Sequence, residues 1–197
     1  MQMEKVGILI ELKDGNIKKT NFGVITLARQ PGCELYALVL NGDAAAYQEQ
    51  LQQYGIGKIV DLTSGAGAMS WNPDQWARAI IAAMNQFGIT TLCGLTSARG
   101  KELLPRVAAY LDAPLVMDCV DLKLSERTVK KSQFSGKTIA TIQVNGNRFI
   151  FGIRPNAIDA KPAPCEAEVI AFQTDVESAG LVVKEIRQQD HSGIDLT

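Results

Sequence analysis

The feature that most constrains this chain is an alternation. Over roughly its first 120 residues, short apolar runs rich in branched side chains take turns with segments of helical period. Residues 5–11 (KVGILIE), 34–40 (ELYALVL), 58–62 (KIVDL), 89–94 (ITTLCG) and 113–118 (APLVMD) read as strands. Between them, residues 20–30, 43–55 and 72–88 read as helices, and residues 96–109 as a turn followed by a helix. In the third of these, Asn72 is a candidate N-cap, Pro73 suits the first helical position and Gly88 is a stop. Asp43 and Gly55 bracket the second in the same way. Strands separated by helical crossovers cannot pair as hairpins. The alternation therefore predicts an α/β fold, an open and mostly parallel sheet with helices on both faces.

Beyond Cys119 the period changes. Residues 126–134, 136–144 and 147–155 read as an antiparallel meander, with Ser135-Gly136 and Asn145-Gly146 at the reversals. A proline-rich loop follows, and residues 169–173 and 181–189 read as late strands. The expected organisation is one α/β domain over 1–189, parallel to about 120 and antiparallel from about 121, with a polar linker at 190–197.

Composition excludes several classes of function. The formal net charge is −1, so no global field recruits nucleic acid or an anionic membrane. No apolar run is long enough to span a bilayer, and the first apolar run begins without a leader-like segment, so the expected location is the cytoplasm. Cys33, Cys93, Cys119 and Cys165 are far apart and form no C-x-x-C pair. The single histidine, His191, sits in the polar tail, which argues against a histidine-based metal site or a Ser-His-Asp triad in the core.

The polar turn TSARGKELLPRVAA (96–109) is the best candidate for chemistry. Five residues separate Gly94 from Gly100-Lys101, and Glu102 stands where a phosphate loop needs a hydroxyl, so an NTPase loop is rejected. A weaker anion site formed by Ser97, Arg99, Gly100 and Lys101 at a helix N-terminus stays open. The competing account is structural: Thr96 or Ser97 caps the helix, Gly100 permits close packing and the charges are solvated. Pro105, lacking an N–H, is expected in a first turn, which puts the helix start just before Glu102. Asp118 and Asp121 are read as an acid–base or metal pair, or as the polar end of the sheet. Trp71 and Trp76 flank a helix start as a stacking surface, or Trp76 packs inward with Ile80 and Ala83. Lys18-Lys19 and Lys130-Lys131 are too short to be nucleic-acid patches. The G-x-G-x-x-G fingerprint is absent after the first strand, where ELKDGN stands.

The run SARGKELLPRVAAYLDAPLVMDCVDL resembles the signature of the electron transfer flavoprotein alpha subunit, with Glu102 at the family's usual Asp. Residues 129–158 are similar to the family's antiparallel meander, which ends in an Arg-Pro pair, here Arg154-Pro155, and SGIDLT resembles the hinge before its second domain. The resemblance implies an N-terminal scaffold and subunit-interface domain with no catalytic residue of its own. It implies FAD held by a C-terminal domain that these residues do not include. It also implies a beta subunit carrying AMP or a second flavin, and flavin dehydrogenases such as acyl-CoA dehydrogenases as electron donors. Weak self-association of the isolated domain is a further expectation. The alternative is a stand-alone nucleotide or small-molecule module of the universal-stress type, its site at the carboxyl edge of the strands and lined by Asn41, Thr96, Ser97 and Arg99.

Overall fold

A computed structural model describes residues 3–40, 42–65, 67–176 and 184–185. Its central sheet takes β1 (Glu4–Leu9), β4 (Cys33–Val39) and β5 (Lys58–Ser64) in parallel on one side. Two short strands, β2 (Leu12–Lys13) and β3 (Asn16–Ile17), form a separate hairpin after β1. On the other side of β1 stands β7 (Thr91–Leu95), also parallel, and β6 (Gly67–Ala68) is a short antiparallel addition to β5.

Alternation along each strand builds two cores. Val6 and Ile8 of β1, with Leu35, Ala37 and Val39 of β4, face α1 (Thr20–Ala28), where Phe22, Ile25 and Ala28 are buried. Tyr36 and Leu38 of β4, with Val60 and Leu62 of β5, face α3 (Pro73–Phe87) and α4 (Ala98–Leu111). This period of two, apolar on both faces, is what a strand buried between two helical layers requires. Burying each such Leu or Ile contributes about 1.5–3 kcal/mol. The predicted architecture, a mostly parallel sheet with helices on both faces, is the one found.

Local chemistry sets the helix ends. Asn72 accepts a hydrogen bond from the Gln75 N–H, Pro73 occupies the first helical position, and Gly88 closes α3 in the left-handed region at φ 68°. Asp43 accepts from the Ala45 N–H, but it caps a single 3-10 turn (Ala44–Tyr47) that leads into the five-residue α2 (Gln48–Gln52). Trp76 is buried with Ile80 and Ala83 in one core, the inward packing expected of it.

Three details depart from the sequence reading. Pro105 is the eighth residue of α4, which begins at Ala98 rather than just before Glu102. The cost of a proline in a helix interior, about 3 kcal/mol, is offset by burial of Leu103, Leu104, Val107 and Ala108 along the same helix. The antiparallel meander consists of β8 (Leu115–Lys123), β9 (Thr128–Gln133) and β10 (Thr138–Gln143). The strand expected to be its third member, β11 (Phe149–Ile153), instead lies parallel between β8 and β7. All five of its residues are buried, so a hairpin position at the sheet margin would have left that run exposed. Likewise β12 (Glu168–Thr174) is parallel to β5, so the region after residue 121 is not antiparallel throughout. The strand expected at 181–189, the linker at 190–197 and His191 lie outside the described residues.

Candidate functional site

The chain runs outward from β1 through β4 to β5, then returns to place β7 on the opposite side of β1. Such a reversal leaves the loops after the two central strands diverging, and a crevice opens between them. Here the crevice is a cleft of about 820 Å³. One wall is the β2–β3 hairpin with the start of α1. Its turn, Asp14-Gly15, has φ 51° and 75°, the paired positive values that an Asp-Gly hairpin turn adopts readily. The opposite side carries Thr96, Ser97, Ala98 and Lys101 after β7, with Pro155 and Asn156 after β11.

At the head of α4, Ser97 Oγ accepts a hydrogen bond from the Gly100 N–H (3.0 Å) and donates one to the carboxylate of Glu11. Glu11 is only 7% exposed, and Lys18 Nζ lies 3.8 Å from its other oxygen. Its backbone is pinned on both sides by fully buried Asn21, whose amide accepts from the Glu11 N–H (3.1 Å) and donates to the Glu11 carbonyl (3.0 Å). An acidic group is stabilised near a helix N-terminus by the orphan N–H groups there. In this chain the acidic group at α4 is internal.

The sequence candidates divide. Ser97 and Lys101 line the cleft. Arg99 turns away, its guanidinium 5.3 Å from the ring centre of Trp71, which in turn makes an edge contact with Trp76. Gly100 is packed so tightly that a Cβ would overlap the Leu95 carbonyl oxygen. Asp118 and Asp121 do not form a pair. Asp118 receives Nε and Nη2 of Arg154 at 3.0 and 2.5 Å, while Asp121 binds Lys130 at 3.0 Å and accepts from the Leu122 N–H. The Arg154 hydrogen bond holds the Asp118 carboxyl below the ordinary range, against the opposing effect of burial. Thr96 Oγ1 accepts from the Asp118 N–H at 3.1 Å, which ties the end of β7 to the middle of β8. Among the described residues there is no group of three or more acidic, cysteine or histidine side chains placed to hold a metal ion. None of the described helices is long and apolar enough to cross a membrane. Asn41 lies outside the described residues.

Sequence reasoning did not single out Glu11, Thr20 or Asn156. A carboxylate ending an apolar run, Glu11 after Ile10, was the one available signal, because a strand that leaves the core at an acidic residue needs a partner for it.

The model of the electron transfer flavoprotein domain family matches residues 6–177. The chain is 24% identical to the electron transfer flavoprotein subunit alpha of Syntrophomonas wolfei, over 85% of this chain and 56% of that protein. It is 22% identical to that of Bacillus subtilis, over 98% of this chain and 61% of the relative. To the subunit of Mycobacterium tuberculosis (strain H37Rv) it is 30% identical, over 87% and 54% respectively. The chain thus spans little more than half the length of these curated relatives.

Proposed function

Because the chain belongs to the electron transfer flavoprotein family, we propose that it forms the N-terminal scaffold and subunit-interface domain of an alpha subunit. The observation that carries this reading is the match to alpha subunits over 85–98% of the chain and just 56–61% of the first two relatives. The whole protein then takes electrons from flavin dehydrogenases, such as acyl-CoA dehydrogenases, and passes them to an acceptor. FAD resides in the C-terminal part of the alpha polypeptide, and AMP or a second flavin resides on the beta subunit. The domain boundary falls near residues 189–190.

The described residues do not fit FAD. A dinucleotide in an open α/β sheet needs a glycine-rich turn after the first strand and a helix N-terminus free for the pyrophosphate. After β1 this chain has the β2–β3 hairpin, and the head of α4 already holds Glu11 through Ser97. The flavin, when bound elsewhere in the assembled protein, supplies the redox chemistry. This chain supplies a rigid sheet, two packed helical layers and a surface for the partner.

The test is co-purification of the tagged chain with the electron transfer flavoprotein beta subunit from the same genome, followed by light scattering and visible absorbance. A one-to-one complex, with no flavin absorbance from this chain alone, is expected. Failure to associate, or a yellow isolated chain, overturns the reading.

A further inference from the structure

Among the described residues, four lysines, Lys13, Lys18, Lys19 and Lys101, line the switch-point cleft, and Asp14 is the one acidic residue in that lining. Behind them stands Glu11, which engages Lys18. Even with Glu11 counted, the cleft keeps an excess of positive charge, although the chain as a whole carries −1. The adjacent Arg154–Asp118 pair is mutually neutralised and changes this balance little.

The cleft also has the dimensions and polarity of a ligand site. Its volume of about 820 Å³ lies within the range of small-molecule pockets, roughly 300–1,000 Å³. Ile17, Ala98 and Pro155 give it apolar surface beside the lysines. In the same wall Thr20 Oγ1 is buried and has no hydrogen-bond partner among the described residues. Buried hydroxyls are nearly always paired, so this one marks a point behind the cleft wall where polar satisfaction is incomplete, within reach of a ligand atom only if the wall side chains shift.

We propose that this cleft binds a small organic anion, phosphorylated or polycarboxylate, held by the ammonium groups of Lys19 and Lys101 beside the wall that carries Thr20. The anion does not sit on the axis of α4, because Glu11 fills that position through Ser97. Glu11 instead acts as a resident counter-ion that weakens binding and sets a charge requirement on the ligand. This site is independent of the subunit role proposed above, and its failure would leave that role intact.

The experiment is an amide NMR titration of the full chain with inorganic pyrophosphate and, separately, with citrate. Saturable shifts are expected at Thr20, Ala98, Lys101 and Asn156 at millimolar probe. A response to pyrophosphate alone assigns phosphate chemistry, and a response to citrate alone assigns carboxylate chemistry. Lys19→Gln and Lys101→Gln, both on exposed side chains, should each weaken binding by about tenfold, the loss of one charge-assisted contact. Lys58→Gln, at the amino end of β5 and paired with Glu168 outside the cleft lining, should change nothing. Glu11→Gln should tighten binding several-fold, and if that variant does not fold, the two lysine variants still decide. Non-saturable or scattered shifts with both probes, or equal weakening by Lys58→Gln, overturns the proposal.

Discussion

Ser97 Oγ donates to the Glu11 carboxylate while accepting the Gly100 N–H, so a single hydroxyl both caps α4 and satisfies a buried acid. Ser97→Ala should therefore cost more than an ordinary cap, for which about 1 kcal/mol is typical. The Glu11 oxygen left without its donor adds a penalty of about 1–3 kcal/mol. Ser97→Asp separates the two effects. Aspartate is a good N-cap, but here it would set a second carboxylate against Glu11. Urea denaturation at neutral pH should find Ser97→Asp no more stable than Ser97→Ala. If Ser97→Asp is as stable as the wild type, the Glu11 contact contributes little.

Gly100→Ala offers a conflict between local and tertiary preference. Alanine is a better helix former than glycine by about 1 kcal/mol. The added Cβ, however, would overlap the carbonyl oxygen of Leu95, which belongs to backbone and cannot swing aside. Forced overpacking typically costs about 1–3 kcal/mol. The expected sum is a net loss of stability, read as a lower urea midpoint with an unchanged slope. A stabilised variant would show that the β7–α4 corner shifts freely.

The contrast between α3 and α4 explains what was legible in the sequence. Asn72, Pro73 and Gly88 act on their own neighbours, so their meaning is readable from order alone. Pro105 was misplaced because its local rule lost to packing by four buried residues of α4, an effect that acts across the sheet. β11 was misassigned for a related reason. Asn145-Gly146 is a strong hairpin signal, but burial of Phe149, Ile150 and Phe151 on both faces favours a central position. The cleft was half visible. Ser97 and Lys101 belong to one turn, whereas Glu11, Thr20 and Asn156 reach it only because β1, α1 and β11 converge at one edge. The separation of Asp118 from Asp121 has the same origin, since Asp118 found Arg154 just past β11 and Asp121 found Lys130 on β9.

The four cysteines should differ in reactivity. Burial pushes the thiols of Cys93 and Cys119 up, Cys119 to about 12, so neither supplies thiolate near neutral pH. Cys165 is exposed, although burial of its sulfur raises its thiol as well, and the sulfur donates to the Ile56 carbonyl at 3.3 Å. In a timed reaction with iodoacetamide, read by peptide mass spectrometry, Cys165 should be modified first. Cys93 should be modified only when the chain unfolds. Early labelling of Cys93 would mean that the sheet opens locally at β7.

Asp118 and Arg154 should give the acid limb of the stability curve part of its slope. The folded carboxyl titrates below its unfolded value, chiefly because Arg154 donates to it. A group shifted in that direction contributes stability above its unfolded pKa, about 3.9, and loses it as pH falls through the lower folded value. Both side chains are more than one-third exposed, at 37% and 38%, so solvent screens the pair and the effect at neutral pH is modest. Asp118→Asn is the informative variant. Asp118 has φ 65°, and asparagine tolerates that left-handed conformation, so the substitution removes the charge without straining the backbone. The variant should be slightly less stable than the wild type at pH 7. The gap should close as pH falls below about 4. Asp74, lowered mainly by Tyr110 and also by Arg78, keeps its own share of the acid limb in both proteins. Urea midpoints measured from neutral to acid pH would decide the matter. Parallel curves with a constant gap would assign the Asp118 effect to shape or hydrogen bonding and remove its ionisation from the account.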